Sequence, residues 1–466
     1  MNNIIRAWQR RNLSLYGKII IAKTFILSQI SYVIQSLALP EEVIKSIDLL
    51  LFKFLWQKRF SNKKAFEKVK RKVLCKQVHD GGLNMISIAD QQKVFLLKWV
   101  RTLIAKKVND ENDFLTTASS YFFHPIGGAT FAIRATTTFK NLKEKEHINS
   151  IFWSRLLEVW IDYKRDKYNP EENIYSILQE PLFNNSKIKF KGKSLFFKKW
   201  VNSNIKYVFD IVMGNRFLLP DEIKRIVGPY GALTLEYYAL LNAIPERWKH
   251  CIWQNCLGTI LTQARQPNEH HLKKLLDVVC KKNKIIRILL NNTKHRIWGI
   301  DFWNKKYNSK KPVSEYFTVA YESTKESRLR LLHFKILHNI YPTSILLNRI
   351  GERDSEKCSH CGVTDYLEHF FIDCYQLNGF WRHVFGLITS LTGFTPKLST
   401  ELILFGALKT DTPNLSGRSL KVLNHIILIA KMSISKFKYG KLYNVFTIFD
   451  IELELRSRHI QKQLAI

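Results

Sequence analysis

From Ser14 onward, apolar residues fall at Ile19, Ala22, Ile26, Ile30, Val33 and Leu37. Steps of three and four place them on one stripe, which predicts a core-facing helix with Ser14 as its N-cap. Pro40 ends that helix and opens the next, where Glu41 and Glu42 suit the positive N-terminal end. Ile44, Ile47, Leu51 and Leu55 continue the period, so two antiparallel helices are the simplest arrangement. His79-Asp80-Gly81-Gly82 reads as a turn, followed by a helical stretch to about Lys107. Residues 108–150 are mixed and polar, with Gly127-Gly128 and Thr136-Thr137-Thr138, and read as a loop or linker. Short helices are expected around Trp153, Trp160, Trp200 and Tyr237-Tyr238. Residues 314–349 read as helices; a Cys/His cluster, another helix, a loop at 406–417 and a helix from about Leu420 follow. No repeat of 20–50 residues is visible. The expected fold class is mainly α and multi-lobed, with a small zinc knuckle near the C-terminus. The expected divisions are 1–60, a basic helical connector at 61–110, a helical middle at 111–310, a zinc-binding region at 311–390 and a helical segment at 391–466.

Composition narrows the class. Apolar residues make up 46% of 466, too many for a disordered tail. The run at 19–39 is interrupted by Lys23, Gln29 and Gln35, so no membrane span is expected. Arg6, Arg10 and Arg11 precede it, but no small-residue cleavage site follows, so the run reads as mature structure. The 7 cysteines are unevenly spread, which suits a reducing, intracellular setting with a metal site better than a disulfide framework.

Charge then points to a partner. Lys plus Arg is 73 against 39 Asp plus Glu, a formal net charge of +34. Such an excess favours a polyanion. The densest stretch carries Lys53, Lys58, Arg59, Lys63, Lys64, Lys68, Lys70, Arg71, Lys72 and Lys76 with Glu67 as its one acid. These are the expected RNA or DNA contacts, since a phosphate backbone wants such charges. Phe52, Phe54, Trp56, Phe60 and Phe66 lie among them and read either as core or as stacking surfaces for bases. A second stretch, Lys187, Lys189, Lys191 and Lys193, alternates with Ile188, Phe190 and Gly192, the period of a strand or hairpin edge with a charged face. Gly192-Lys193-Ser194 is not a phosphate-binding loop, because Lys187 stands where that motif needs glycine.

The sharpest chemical signal is Cys358-x2-Cys361-x7-His369-x4-Cys374. Two cysteines two residues apart can chelate one ion from a tight turn. A histidine and cysteine about one helical turn apart can complete a tetrahedron. Three thiolates and one imidazole are a closed structural zinc set. Gly362 follows the first pair, where the backbone needs a permissive residue. His360 is expected to point away. Cys251-x4-Cys256 with His250 is a much weaker pattern, and Cys75 and Cys280 have none. Two-metal catalysis needs clustered carboxylates. The chain has no Asp-Asp pair, and Asp210, Asp221 and Asp301 have no partner that sequence identifies.

Assembled, these residues resemble the C-terminal part of LINE-type (non-LTR) retrotransposon reverse transcriptases. The opening Trp8-Gln9-Arg10-Arg11-Asn12-Leu13-Ser14-Leu15-Tyr16-Gly17-Lys18, with Ala38-Leu39-Pro40, is similar to the thumb that follows the polymerase palm. Phe54-Leu55-Trp56, Gly81-Gly82-Leu83-Asn84 and Leu97-Lys98-Trp99 resemble the next segment. Residues 194–210, and 237–248 with Ile244-Pro245, resemble it more loosely. Tyr341-Pro342-Thr343, the Cys/His cluster and Phe380-Trp381 resemble the terminal zinc-binding region. The resemblance implies RNA binding in support of target-primed reverse transcription. It also implies upstream endonuclease and palm domains with an aromatic-Ala-Asp-Asp site, and neither lies in this sequence. The chain is therefore expected to be a fragment that binds template and primer, in nucleus or cytoplasm, without polymerising. The competing expectation is a free-standing helical protein-interaction scaffold with a structural zinc.

Overall fold

The computed structural model describes residues 2–11, 13–56, 67–105, 113–145, 148–165, 173–255, 258–264, 275, 283, 296–307, 312–440, 444–458 and 460–461. These are mainly helical, with two short antiparallel hairpins. Two compact units form. One gathers 1–30, 45–87 and 291–466; the other gathers 31–44 and 88–290.

Ser14 caps the Leu15–Ile21 helix, its hydroxyl accepting from the Gly17 N–H at 3.1 Å. The helix then passes through a π-helical turn, Ala22–Ile26, before continuing as Ser28–Ser36 at a bend of 49°. That turn breaks the expected stripe. Ile19, Ala22 and Ile26 are buried, but Val33 and Leu37 are exposed and Ile34 is buried instead. An extra residue per turn rotates everything downstream by about 100°, which moves the apolar face by one position. Glu41–Trp56 forms as a helix with Glu41 and Glu42 in its first turn. Near its end, the Leu55 carbonyl accepts from Lys18 Nζ at 3.2 Å. Among the described residues no single helix is long and apolar enough to cross a membrane, although the bent pair Leu15–Ile26 and Ser28–Ser36 together meets that test.

The largest core surrounds the 23-residue helix Gly417–Tyr439, which buries Val422, Leu423, Ile426, Ile427, Ile429, Ala430 and Ile434. Trp303, Leu329, Leu337, Phe371, Phe380, Val384 and Phe449 pack in the same cluster. Arg456 fixes the following helix, gripping both Glu326 carboxylate oxygens (2.6 and 2.9 Å) and Glu452 (2.8 Å). The expected turn at 79–82 is present. Gly81 has φ +80, and its carbonyl accepts from His338 Nε2 at 2.8 Å.

This core also buries ionisable groups. Lys431 is fully buried against the Leu404 carbonyl (3.0 Å), and desolvation lowers its pKa to about 7. Desolvation likewise lowers His333 to about 3 and His338 to about 4. The neutral forms are thus the folded forms. As pH falls below about 6.5, the unfolded chain takes up protons on these histidines and stability drops. From about pH 7 to 10.5, the unfolded chain still holds the proton that Lys431 has lost, so stability climbs with pH. Thermal melts should therefore rise from pH 4 to pH 9. Lys431→Met should flatten the part above pH 7, and an unchanged slope in that variant contradicts the assignment.

In the second unit, Ile88–Ala105 packs against Ile151–Arg165 around Trp153 and Trp160. The Trp160 indole N–H donates to the Ile133 carbonyl at 2.7 Å. The stretch expected to be a loop, 108–150, is instead largely helical where described: Phe114–Phe123, Ala129–Arg134 and Phe139–Lys145. Phe123, Ile126, Phe131, Ile133 and Leu142 from this stretch are buried, while Phe114 and Tyr121 are exposed. Gly127 and Gly128, with φ of +102 and +96, break it into pieces too short to show a period. The threonine run is built in, not free. Thr137 Oγ1 lies 3.0 Å from Ser194 Oγ, and Thr136 Oγ1 donates to Asn185 Oδ1 at 3.1 Å. A third cluster buries Trp200, Trp248, Phe183 and Ile223.

Candidate metal centre

The backbone around Cys358 is closed by local hydrogen bonds. The Cys358 N–H donates to the Val363 carbonyl (2.7 Å), and the Gly362 N–H returns to the Cys358 carbonyl (2.9 Å). Gly362 sits at φ +73, which a side chain would strain. An antiparallel bridge, Lys357 to Thr364, seals the base of the loop. The second ligand pair lies on a π-helical turn, His369–Asp373, closed by the Cys374 N–H to the His369 carbonyl at 3.2 Å. A five-residue step nearly completes one π turn, so His369 and Cys374 return to one side.

The four candidate ligand atoms of Cys358, Cys361, His369 and Cys374 lie within 4.8 Å of one another. Cys361 Sγ is 3.8 Å from Cys374 Sγ and 3.2 Å from His369 Nε2. A tetrahedral ion with bonds of about 2.3 Å to sulfur needs its sulfurs about 3.8 Å apart. The cluster could thus hold a metal ion, and its donors and spacing are compatible with zinc. Cys358, His369 and Cys374 are buried, and Cys361 is half-buried. His360 stands apart, stacked on Phe437 with ring centroids 4.8 Å apart.

One participant is not visible in the Cys/His spacing. Lys438, near the end of the long helix, donates to Cys358 Sγ at 3.2 Å and also bonds Cys374. Burial raises the Cys358 thiol, but the His360 backbone N–H and the Lys438 ammonium outweigh it and hold the group below its ordinary pKa. Burial lowers Lys438, yet its bonds to Cys374 and Cys358 leave it above its ordinary value. Cys361 is raised, mainly by burial. His369 is lowered by burial and then by the Lys438 charge, which favours the neutral ring that a metal requires. A buried cation beside two of the sulfurs offsets the negative charge that a Cys3His set brings to its ion.

The knuckle is anchored from behind. Phe370 and Phe371 are buried, and the Trp381 indole N–H donates to the Phe371 carbonyl at 2.7 Å. Asp365 Oδ2 accepts from the Ser344 N–H (3.0 Å) and Oγ (2.8 Å), joining the ligand loop to the Ser344–Arg349 helix.

The predicted nucleic-acid contacts are spread along the connector. Lys53, Lys70, Arg71 and Lys72 are exposed, while Lys68 and Lys76 are half-buried. Lys58, Arg59, Lys63 and Lys64 lie outside the described residues, as do Phe60 and Phe66. Phe54 is fully buried and Phe52 and Trp56 are half-buried, so these three rings are largely structural. Arg71 pairs with Glu67 at 3.4 Å and covers the Phe52 ring at 5.7 Å. Lys335 is held below its ordinary pKa, first by burial and then by the Lys68 charge. Two of the three isolated acids are locally engaged. Asp210 accepts from the Lys206 and Tyr207 N–H groups (both 2.8 Å), Asp301 pairs with Arg296, and Asp221 lies in the first turn of Pro220–Val227. Cys251 is half-buried, and Cys256, its partner in the weaker pattern, lies outside the described residues.

No known family model matches the chain, and no curated protein matches it at a significant level.

Proposed function

We propose that this chain is the thumb, connecting and zinc-binding portion of a LINE-type reverse transcriptase, and that its work is to hold RNA template and primer. The observation that carries this reading is the four-ligand cluster, which belongs to the same compact unit as most of the basic connector. Zinc is the ion best suited to three sulfurs and one imidazole. Four protein ligands leave it no open position, so it shapes the fold and takes no part in bond making. The connector supplies cations for phosphates. Lys335, held below its ordinary pKa first by burial and then by the Lys68 charge, adds a further cation beside the connector. Holding the nucleic acid rather than extending it is also consistent with Asp210 and Asp301, each committed to a local partner.

The test is the salt dependence of binding. A single-stranded RNA should bind the full chain with affinity that falls steeply as salt rises. Replacing Lys68, Lys70, Arg71 and Lys72 by Gln should reduce the slope of log K against log salt by roughly 2 to 3, taking about 0.7 for each lost phosphate contact. Absence of RNA or DNA binding at low salt defeats the reading. Salt-insensitive capture of protein partners supports the scaffold instead.

A further inference from the structure

Between Glu180 and Asp210 the chain carries seven lysines (Lys187, Lys189, Lys191, Lys193, Lys198, Lys199 and Lys206) and no Asp or Glu. This stretch lies in the second unit, away in sequence from both the connector and the Cys/His cluster. Its middle is a hairpin. Lys189–Phe190 pairs antiparallel with Lys193–Ser194, with Phe190 opposite Lys193. Lys191 and Gly192 form the turn, with φ of +51 and +80. Two central residues at positive φ define the tight hairpin turn whose twist matches its strands. A lysine there is conformationally costly, since a side chain resists that region. Lys191 is exposed at the tip of this turn.

The platform is anchored. Ile188 and Trp200 are fully buried, Ser194 meets Thr137 at 3.0 Å, and the Asn184 N–H donates to the Leu195 carbonyl at 2.9 Å. Lys189, Lys191, Lys193, Lys198 and Lys199 are all exposed. The acids at either end do not cover Lys189, Lys191 or Lys193. Glu180 is buried and accepts from Asn185 Nδ2 at 2.9 Å, and Asp210 is occupied by backbone N–H groups. Lys189 and Lys193 have no acidic partner among the described residues. Lys199 lies over the Tyr230 ring at 4.1 Å, which holds its ammonium in place. Ordinary solubilising surfaces mix both signs. A rigid, single-sign ribbon is suited to a partner with regularly spaced negative charge.

We propose that this lysine hairpin is a second nucleic-acid-binding surface that contacts the phosphodiester backbone of an RNA strand without reading its sequence. The inference rests on the nucleic-acid reading above but concerns different residues, so the two can fail separately. The experiment uses the full chain, a mixed-sequence single-stranded RNA and fluorescence anisotropy over a salt series. Lys189, Lys191 and Lys193 are replaced together by Gln, and in a second variant together by Arg. The Gln variant should lose roughly 2 from the slope of log K against log salt. If the two lines meet near 1 M salt, that slope is a loss on the order of 100-fold at 0.1 M. The Arg variant should bind like the parent. All three positions are exposed, so an unchanged melting temperature is expected and separates lost contacts from lost fold. A Gln variant with the parent's slope and affinity overturns the proposal while leaving the connector reading intact. A parent chain that binds no RNA overturns both. Lysine-dependent binding to phosphatidylserine vesicles without RNA binding assigns the hairpin to a membrane surface and overturns it as well.

Discussion

Replacing Cys374 by serine is expected to strip the chain of its metal and melt the segment around it. The four ligands come from a six-residue turn and a separate π turn, whose mutual position depends on a shared centre. Structural zinc contributes about 10–16 kcal/mol to small domains at neutral pH. That is as large as the whole stability of an ordinary domain, about 5–15 kcal/mol. Cys361 and Cys374 lie 3.8 Å apart, with the Lys438 ammonium beside Cys358 and Cys374 as a balancing charge. Metal analysis of the purified chain should find one zinc for each molecule. Cys374→Ser should retain under about a tenth of it, because three ligands bind far more weakly than four. Limited proteolysis should then cut near 350–380, where the parent resists. Cys251→Ser serves as the control and should keep full metal. A parent chain with no stoichiometric zinc sinks the metal assignment outright.

The second large effect is steric. A methyl group on Gly82 would meet the Lys76 carbonyl oxygen at 2.0 Å and its carbon at 2.4 Å. These are backbone atoms, so no side chain can swing aside. The same turn is tied down from both ends: the Gly82 N–H donates to the Gln77 carbonyl (2.7 Å), the Leu83 N–H to the Leu74 carbonyl (3.0 Å), and the Gly81 carbonyl accepts from His338. Gly82→Ala should destabilise the first unit by about 3 kcal/mol, at the upper end of overpacking costs. Chemical denaturation should show a lower midpoint. Gly214→Ala is the comparison: a methyl there meets nothing within 4 Å, although φ of +63 still costs something. Equal midpoints for Gly82→Ala and the parent contradict the packing described.

The sequence makes the helices readable wherever burial follows a 3.6-residue period. Ser14 and the Gly81-Gly82 turn are legible too, because each is a local solution to a local problem. The Cys/His spacing is legible because chelation demands few geometries. Other features depend on contacts distant in the chain. The π turn at Ala22–Ile26 shifts the buried stripe from Val33 to Ile34, and nothing in the run of apolar residues announces it. The 114–145 helices are too short to show a period, and burial of Phe123, Phe131, Ile133 and Leu142 commits them to the core. Lys438 carries no signal at all. It looks like any basic residue in the last turn of a helix until the fold brings it to the sulfurs.

The first unit's interrupted path has a consequence for how the protein is made. Residues 1–30 and 45–87 share their compact unit with 291–466. At roughly 5–20 residues per second, a ribosome needs on the order of 10–40 s to pass from the end of the second stretch to the start of the third. Throughout that interval the Leu15–Ile21 helix exists without the Ser327–Leu337 helix that it packs against. A slowed or stalled ribosome beyond residue 87 therefore lengthens the time that this face waits uncovered.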